Sequence, residues 1–372
     1  MKRKLKFLFL ESFFGGSHRA FATGLAAHSR HRIDLLTLPA RSWRWRIRGA
    51  ALYFVRAVSD LASYDGVIVG GLMSLADFKA LAAGACPPTL AYFHENQLTY
   101  PLGPGGHIDY QLGHTDITTA LAAERLLFNS RTHRAAFCGS LAGFLARVPE
   151  YPPRWIVPEL EAKADVLYPG CEFPAHAEPL SEPVENCPPL IIWNHRWDYD
   201  KNPGPFFAAL DSVLAKGAEF RLALLGESAH PAPSPFVRAR QRYGGRIVHC
   251  GYVASRAEYL AWLKQGAIVV STARQENFGV AVVEAIRWGC LPLLPARLSY
   301  PEIIPDGFHD AVLYRSDEEL NAMLLQRLAD YAQQQGLRRR LAAAMGRFSW
   351  EHLIDRYDAE LEHLAGRPRG RR

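Results

Sequence analysis

The chain has little that would tie it to a membrane, an oxidising compartment or a structural metal. No apolar run reaches the roughly 18–20 residues that span a bilayer. Its six cysteines, Cys86, Cys138, Cys171, Cys187, Cys250 and Cys290, are scattered, with no CxxC pair and no close Cys/His spacing. That argues against a zinc module and for a reducing compartment, so a cytoplasmic location is expected. A G-x-G-x-x-G fingerprint is missing, which disfavours a dinucleotide cofactor. The opening "MKRKLKFLFLESFFGG" has the basic end and short apolar run of a signal peptide. Glu11 follows at once, however, and no small-residue cleavage site appears, so a buried first strand is expected.

What is present is an ordinary globular composition. The 372 residues are 49% hydrophobic and 22% charged, which suits two α/β domains. The net charge of +6 is unevenly placed. "RSWRWRIRGAALYFVR" (41–56) holds five arginines and no acid, and the tail "RPRGRR" (367–372) holds four more. Those nine exceed the whole net charge, so the rest of the chain is slightly acidic. Basicity confined to two patches bears on partners and not on the fold.

Short apolar runs alternate with helix-like segments. "KFLFLE", "RIDLLTLP", "DGVIVGG", "TLAYFHE", "RLLFNS" and "ADVLYPG" read as strands of a first parallel sheet covered on both faces. The Pro-rich, patternless stretch 171–190 reads as a linker. "LIIWNH", "FRLALLGE", "RIVHCGYV", "AIVVSTA" and "CLPLLP" then restart the alternation, and the last 55 residues are mostly helical. The expected division is an N-terminal Rossmann-like domain over 1–170, a linker over 171–187, a second such domain over 188–349, and a C-terminal helix with basic tail over 350–372. Two doubly wound domains would present their ligand at the carboxyl ends of the strands, in a cleft between them.

Four stretches carry chemistry. "LESFFGGSHRA" (10–20) puts Gly15 and Gly16 directly after the first strand, as an anion-binding turn or a plain tight turn. "AYFHENQLTYP" (91–101) ends a strand with His94, Glu95, Asn96 and Gln97, polar groups that are costly there unless they face a cleft. His94 can donate to a sugar hydroxyl or cap the next segment. "WNHRWDYDKNP" (193–203) offers Arg196 and Lys201, a fork and a point charge suited to a diphosphate. Asp198 and Asp200 resemble a metal-binding DxD, but lying between two bases they read as solvent-facing or helix-start acids. "STARQENFGVAVVEAIRWGC" (271–290) runs from strand to helix, with amides around Asn277, Phe278 and Gly279 at the helix start. Its Glu276 is placed to accept from sugar hydroxyls. Glu284, inside the apolar run "VAVVEAI", is expensive without a partner and can bind a ribose. The competing reading is a helix-start acid and a surface acid.

Taken together, Glu276-x7-Glu284, the Arg196/Lys201 pair and the Gly15-Gly16 loop resemble the retaining GT-B glycosyltransferases of the GT4 type. "ESFFGGSH", "LPARSWRWR", "ALYF", "YFHENQLTYP", "FNS", "HRWDYDKNP", "GVAVVEA" and "YPEIIP", from about residue 8 to 305, are similar to the tRNA-queuosine mannosyltransferases. That resemblance implies a GT-B fold, two Rossmann-like domains facing each other across a cleft, with the C-terminal helix packing back on the N-terminal domain. It implies a retaining hexosyl transfer from GDP-mannose to queuosine in the anticodon of tRNA-Asp. Arg196 and Lys201 would hold the diphosphate with Gly15 and Gly16 assisting, Glu276 the mannose, Glu284 the ribose, and the backbone near Tyr252 the guanine. His94 would lie beside the sugar. No metal and no resident cofactor are expected; the nucleotide-sugar is a co-substrate. Animal members carry a long polar insert between the domains that is missing here, and the basic tail has no counterpart.

Arg41, Trp43, Arg44, Trp45 and Arg46 interleave cations with indoles, a pattern suited to phosphates and stacked bases. With Glu95, Asn96 and Gln97 they are the candidate tRNA-binding residues. The arginines show no clean helical stripe opposite a broad apolar face, which disfavours an interfacial membrane helix. Three rivals stay open: a glycosyltransferase acting on a lipid-linked or envelope saccharide at the membrane surface, a nucleotide-sugar epimerase, and a catalytically dead tRNA-binding module.

Overall fold

The structure, a computed structural model, describes residues 3–103, 105, 109–174, 176, 180–182, 187–226 and 234–367. The chain divides into two compact units, residues 1–173 with 348–372, and residues 174–347.

The first unit contains one sheet of six parallel strands in the order β2-β1-β3-β4-β5-β6. These are β1 (Lys6–Phe14), β2 (Arg32–Pro39), β3 (Gly66–Gly70), β4 (Thr89–Phe93), β5 (Arg125–Phe128) and β6 (Ala164–Val166). Every residue of β3 and β4 is buried, which is why these strands read as unbroken apolar runs. Helices α1 (Gly16–His28), α2 (Trp43–Ala57) and α3 (Leu75–Leu81) follow the first three strands. From β1 the chain steps out to β2, then returns to place β3 on the other side of β1. That reversal leaves a crevice at the carboxyl ends of β1 and β3, where doubly wound sheets bind ligands.

The second unit repeats this logic with β7 (Leu190–Trp193), β8 (Arg221–Leu225), β9 (Ile247–Gly251), β10 (Ile268–Val270), β11 (Leu291–Pro295) and β12 (Leu313–Tyr314). The order is β12-β11-β10-β7-β8-β9, all parallel, so the strand order reverses between β7 and β10. The two-residue β12 has no run long enough to be legible in the sequence.

The C-terminal helix Trp350–Ala365 belongs to the first unit. Ser349 caps it, accepting the His352 N–H at 3.2 Å. Trp350, Leu353, Tyr357, Leu361 and Leu364 recur every three or four residues, and this stripe packs on Phe9, Phe21, Leu25 and Tyr92. The helix therefore covers one face of the sheet, and without it that aromatic layer would meet water. Where the sequence suggests a linker, Cys171 and Phe173 are buried. The Cys171 N–H donates to the Phe348 carbonyl at 2.8 Å, pinning the chain at its exit from the unit to the point of its return. The remaining linker residues 175, 177–179 and 183–186, and residues 368–372 of the basic tail, lie outside the described residues.

The arginine-rich stretch forms α2, which buries a narrow stripe of Ile47, Ala50, Ala51 and Phe54, at i, i+3, i+4 and i+7. Two of the four are alanines, and Trp45, Leu52 and Tyr53 lie exposed on the other faces, so apolar residues surround the helix and mask its period.

Candidate functional site

The switch point of the second sheet gathers the loop after β7 and the loop after β10. Lys201, in the first, is buried, and its Nζ lies 3.2 Å from Glu276 Oε2, 3.2 Å from Asp200 Oδ2 and 3.0 Å from the Gln275 carbonyl. Burial alone would lower the Lys201 pKa. The charges of Glu276 and Asp200 outweigh it and hold the ammonium above its ordinary value, although Arg196 pulls the other way. Arg196, half exposed, pairs with Asp198 at 3.1 Å. The two acids of the Asp198-x-Asp200 pair are thus each engaged by a neighbouring base. Two guanidiniums that the sequence did not single out border the same loop: Arg297 donates to the Ala273 carbonyl at 3.1 Å, and Arg274 reaches the Tyr199 hydroxyl.

Gly279 ends this loop at φ 95° and caps the helix Val280–Arg287. That left-handed conformation suits glycine, and it turns the chain sharply from loop into helix beside Glu276. Phe278 is buried, and its carbonyl accepts the Ser299 hydroxyl at 2.9 Å, which fixes the turn. Asn277 receives a 2.9 Å bond from Gln275 Nε2. The two glutamates, eight positions apart, have separate partners. Glu276 is tied to Lys201, whereas Glu284, one turn into the helix and buried, pairs with Arg256 Nη2 at 2.5 Å. A carboxylate in an apolar run has its counter-charge after all, supplied by the helix Arg256–Gln265. Tyr252, just beyond β9, is exposed. Two cations, an acid bonded to one of them and a glycine-led helix start form an arrangement able to hold a diphosphate and the hydroxyls attached to it.

In the first unit, Gly15 is the N-cap of α1 and Gly16 its first residue, at the carboxyl end of β1. His94, just past β4, is buried and packs against His18, ring centroids 4.2 Å apart with the planes tilted by 37°. His18 Nδ1 lies 3.3 Å from Glu11 Oε2, whose other oxygen accepts the Phe13 N–H at 2.9 Å. Burial, reinforced by the charges of His18 and His133, drives the His94 pKa well below its ordinary value, so the ring is a neutral imidazole at physiological pH. Glu11, His18 and His94 are also a group among the described residues whose donor atoms, all within 4.8 Å, are close enough for one metal ion. Neither Glu11 nor His18 was singled out as a site residue from the sequence, because strand β1, helix α1 and the end of β4 meet only in the folded sheet.

The segment after His94 is only partly available to a ligand. Asn96 is buried and folds back on its own turn, its Oδ1 accepting the Leu98 and Thr99 N–H groups at 3.0 Å each. Gln97 donates its N–H at 2.5 Å to Asp116, a buried acid that sequence reasoning missed. Burial, with Glu95 nearby, holds the Asp116 pKa well above the usual carboxylate range, though the Gln97 bond opposes this. Glu95 and Gln97 remain partly accessible.

Helix α2 begins at the same edge. Trp43 packs with Phe13, Ile47, Leu72 and Leu112, so it anchors the helix beside the loop that follows β1, and its ring also carries the Arg44 guanidinium at 5.1 Å. Trp45 is 75% exposed. Arg41 and Arg44 face solvent, and Arg46 Nε is buried and bonds to nothing among the described residues. None of Arg41, Arg44, Arg46, Arg48 and Arg56 has an ion pair among the described residues. Like charge accumulates here without compensation, as on a surface that meets a polyanion.

Two parallel doubly wound units, each with its polar groups at the carboxyl edge of its strand-order reversal, define the GT-B class of glycosyltransferases. Solved structures of that architecture superimpose on the chain. Sucrose-phosphate synthase from Thermosynechococcus elongatus gives a TM-score of 0.73 at 17% identity, over 97% of this chain and 99% of that one. Anabaena HepE in complex with UDP and glucose gives 0.68 at 15%, over 96% and 99%. Residues 6–171 match the family described as tRNA-queuosine alpha-mannosyltransferase N-terminal, and residues 188–330 match glycosyl transferases group 1. The chain is a glycosyltransferase. It is 35% identical over 309 residues to the tRNA-queuosine alpha-mannosyltransferase of Drosophila melanogaster, covering 80% of this chain and 81% of the fly protein. It is also 27% identical over 182 residues to the GDP-mannose:cellobiosyl-diphosphopolyprenol alpha-mannosyltransferase of Xanthomonas oryzae pv. oryzae, 48% of each chain. The chain belongs to the tRNA-queuosine alpha-mannosyltransferase family. No helix among the described residues is long and apolar enough to cross a membrane.

Proposed function

We propose that this enzyme transfers mannose from GDP-mannose, with retention, to queuosine in the anticodon of tRNA-Asp. The observation that carries the reading is the arginine-rich stretch in the unit that matches the queuosine-family N-terminal region: Arg41 and the four arginines of helix α2, without ion pairs among the described residues and with indoles between them, suit an RNA acceptor. The donor is assigned to the second unit. Arg196 and Lys201 take the diphosphate together with the helix-start amides at Asn277, Phe278 and Gly279. Glu276 accepts from the mannose hydroxyls, Glu284 from the ribose, and the backbone at Tyr252 meets the base. Gly15 and Gly16 assist at the diphosphate, and neutral His94 donates to the sugar.

Transfer breaks the bond from the sugar C1 to the phosphate oxygen and forms one from C1 to the acceptor oxygen. The departing diphosphate keeps the electron pair, and its oxygen takes the acceptor proton as attack proceeds on the same face. Cations and amides aimed at that oxygen stabilise its growing charge, which favours the transition state over the bound substrate. No enzyme acid or base and no metal is needed in this scheme.

The second reading, a lipid-linked acceptor, is favoured by the name of the Xanthomonas relative, but that match covers only half of each chain. Incubation of queuosine-containing tRNA with a panel of nucleotide-sugars, followed by nucleoside mass spectrometry, separates the two. A hexose added to queuosine is the expected result; no added hexose with any donor sinks the proposal.

A further inference from the structure

Helix α2 has a glycine, Gly49, in its middle, and a glycine there costs about 1 kcal/mol against alanine. No backbone passes close enough to demand it. The nearest atoms that a Cβ at this position would meet belong to the indole of Trp45, with Nε1 at 3.1 Å. What the glycine provides is room for that ring to lie along the helix. Trp45 then forms one wall of a groove of about 480 Å³ between α2 and α3, with Gly49 and Leu52 on one side and Asp77, Ala80 and Leu81 on the other. This size falls in the range of small-molecule sites, about 300–1,000 Å³. Trp45, Leu52 and Leu81 are 75%, 62% and 48% exposed, so a continuous apolar strip faces water.

We infer that this groove holds an unpaired, amino-bearing nucleobase of the acceptor RNA, stacked on Trp45 and bonded to Asp77. The inference rests on the RNA-acceptor reading above and adds to it a site for a base other than the one modified. Charge argues for the occupant. Arg48 lines the groove, Arg44 and Arg56 lie on the same helix, and none has an ion pair among the described residues, so phosphates on either side of an inserted base meet free cations. Arg48 is steadied by Gln111 Oε1 at 3.0 Å, a neutral partner that leaves its charge available. The Asp77 carboxylate makes no hydrogen bond among the described residues, while its N–H is used by the Ser74 cap. A carboxylate on the wall repels an anionic lipid surface, whereas it accepts from the amino edge of guanine, adenine or cytosine.

The test exploits a conflict between stability and binding. Gly49→Leu restores helix propensity and displaces only an exposed ring, so the melting temperature should rise by roughly 1–4 °C. The same leucine fills the groove, so affinity for queuosine-containing tRNA should fall about 5- to 150-fold, the equivalent of one lost base stack. Trp45→Ala should lose a similar factor and Trp45→Phe should recover most of it. Affinity for a fully paired RNA duplex, which offers phosphates but no free base, should stay within twofold for all three. Unchanged tRNA affinity in Gly49→Leu and Trp45→Ala, with the parent still binding and modifying tRNA, overturns the groove and leaves the proposed function standing. A parent that binds no tRNA overturns the acceptor reading and the groove with it. Loss of binding to phosphatidylglycerol vesicles with tRNA binding intact overturns it in favour of a membrane contact.

Discussion

Replacing Lys201 by methionine tests the centre of the donor site. The ammonium is enclosed by Glu276, Asp200 and the Gln275 carbonyl, all at 3.0–3.2 Å, and the Lys201 and Asp200 side chains are 11% and 5% exposed. Methionine keeps the length and the apolar stem but leaves two largely buried carboxylates facing each other without a cation. Removing one partner of a buried ion pair costs about 3–5 kcal/mol. For a unit of this size that is a fall of about 6–20 °C in melting temperature. Adding Glu276→Gln to Lys201→Met removes one of the stranded charges and should recover part of the loss, so the double variant melts above the single one. The functional effect is separable, because it persists below the melting range. Transfer at 20 °C should fall about 100- to 1,000-fold, the usual cost of removing one fixed charge donor from a transition state. Differential scanning calorimetry and nucleoside mass spectrometry read the two effects. A Lys201→Met protein that melts within a degree of the parent would show that the trio contributes no net stability. One that transfers at the parental rate would remove Lys201 from the diphosphate site.

Glu284→Gln should raise the KM for the nucleotide-sugar about 10- to 100-fold, one charge-assisted hydrogen bond, with kcat nearly unchanged; a change confined to kcat refutes the ribose assignment. Asn96→Ala removes the acceptor for the Leu98 and Thr99 amides and should cost about 1–3 kcal/mol in urea unfolding, and an unchanged midpoint refutes the internal role given to that side chain. Burial pushes the pKa of His133 and of His195 down to about 3, the charge of Lys201 adding to the effect at His195. Each therefore folds neutral, and the stability it confers is full above the ordinary value of about 6.5 and is lost as pH falls toward 3. At pH 5 the loss is about 2 kcal/mol for each, so denaturation midpoints should drop between pH 7 and pH 5, and a flat profile would refute it. Replacing both Arg44 and Arg48 by glutamine should lower the salt dependence of tRNA binding by about 0.7–0.9 in log–log slope for each phosphate contact removed.

The strands were readable because a doubly wound sheet buries both faces. "DGVIVGG" and "TLAYFHE" have no polar alternation to confuse them with anything else. The loop residues Arg196, Lys201 and Glu276 were readable because polar groups stood directly after such runs. Helix α2 was not, since its apolar face is half alanine and its exposed faces carry tryptophan, leucine and tyrosine. The Glu11–His18–His94 cluster and the Asp116 bond to Gln97 were also out of reach. Their members come from separate elements, and nothing in local spacing says which loop ends will converge.

By itself the sequence determined the two parallel sheets, the residues at their carboxyl edges and, through unusual strings such as "SWRWR" and "FHENQLTYP", the family. Those are local properties: a run of apolar residues, a turn, a charge placed next to a strand end. Only the tertiary structure decided how the charges are spent. It gave Lys201 two acids, gave Glu284 the Arg256 counter-charge, turned Asn96 inward, and left the arginines of α2 without ion pairs among the described residues, beside an open groove. Strand order decides these matters, because the reversal between β7 and β10 and between β1 and β3 sets which distant loops become neighbours.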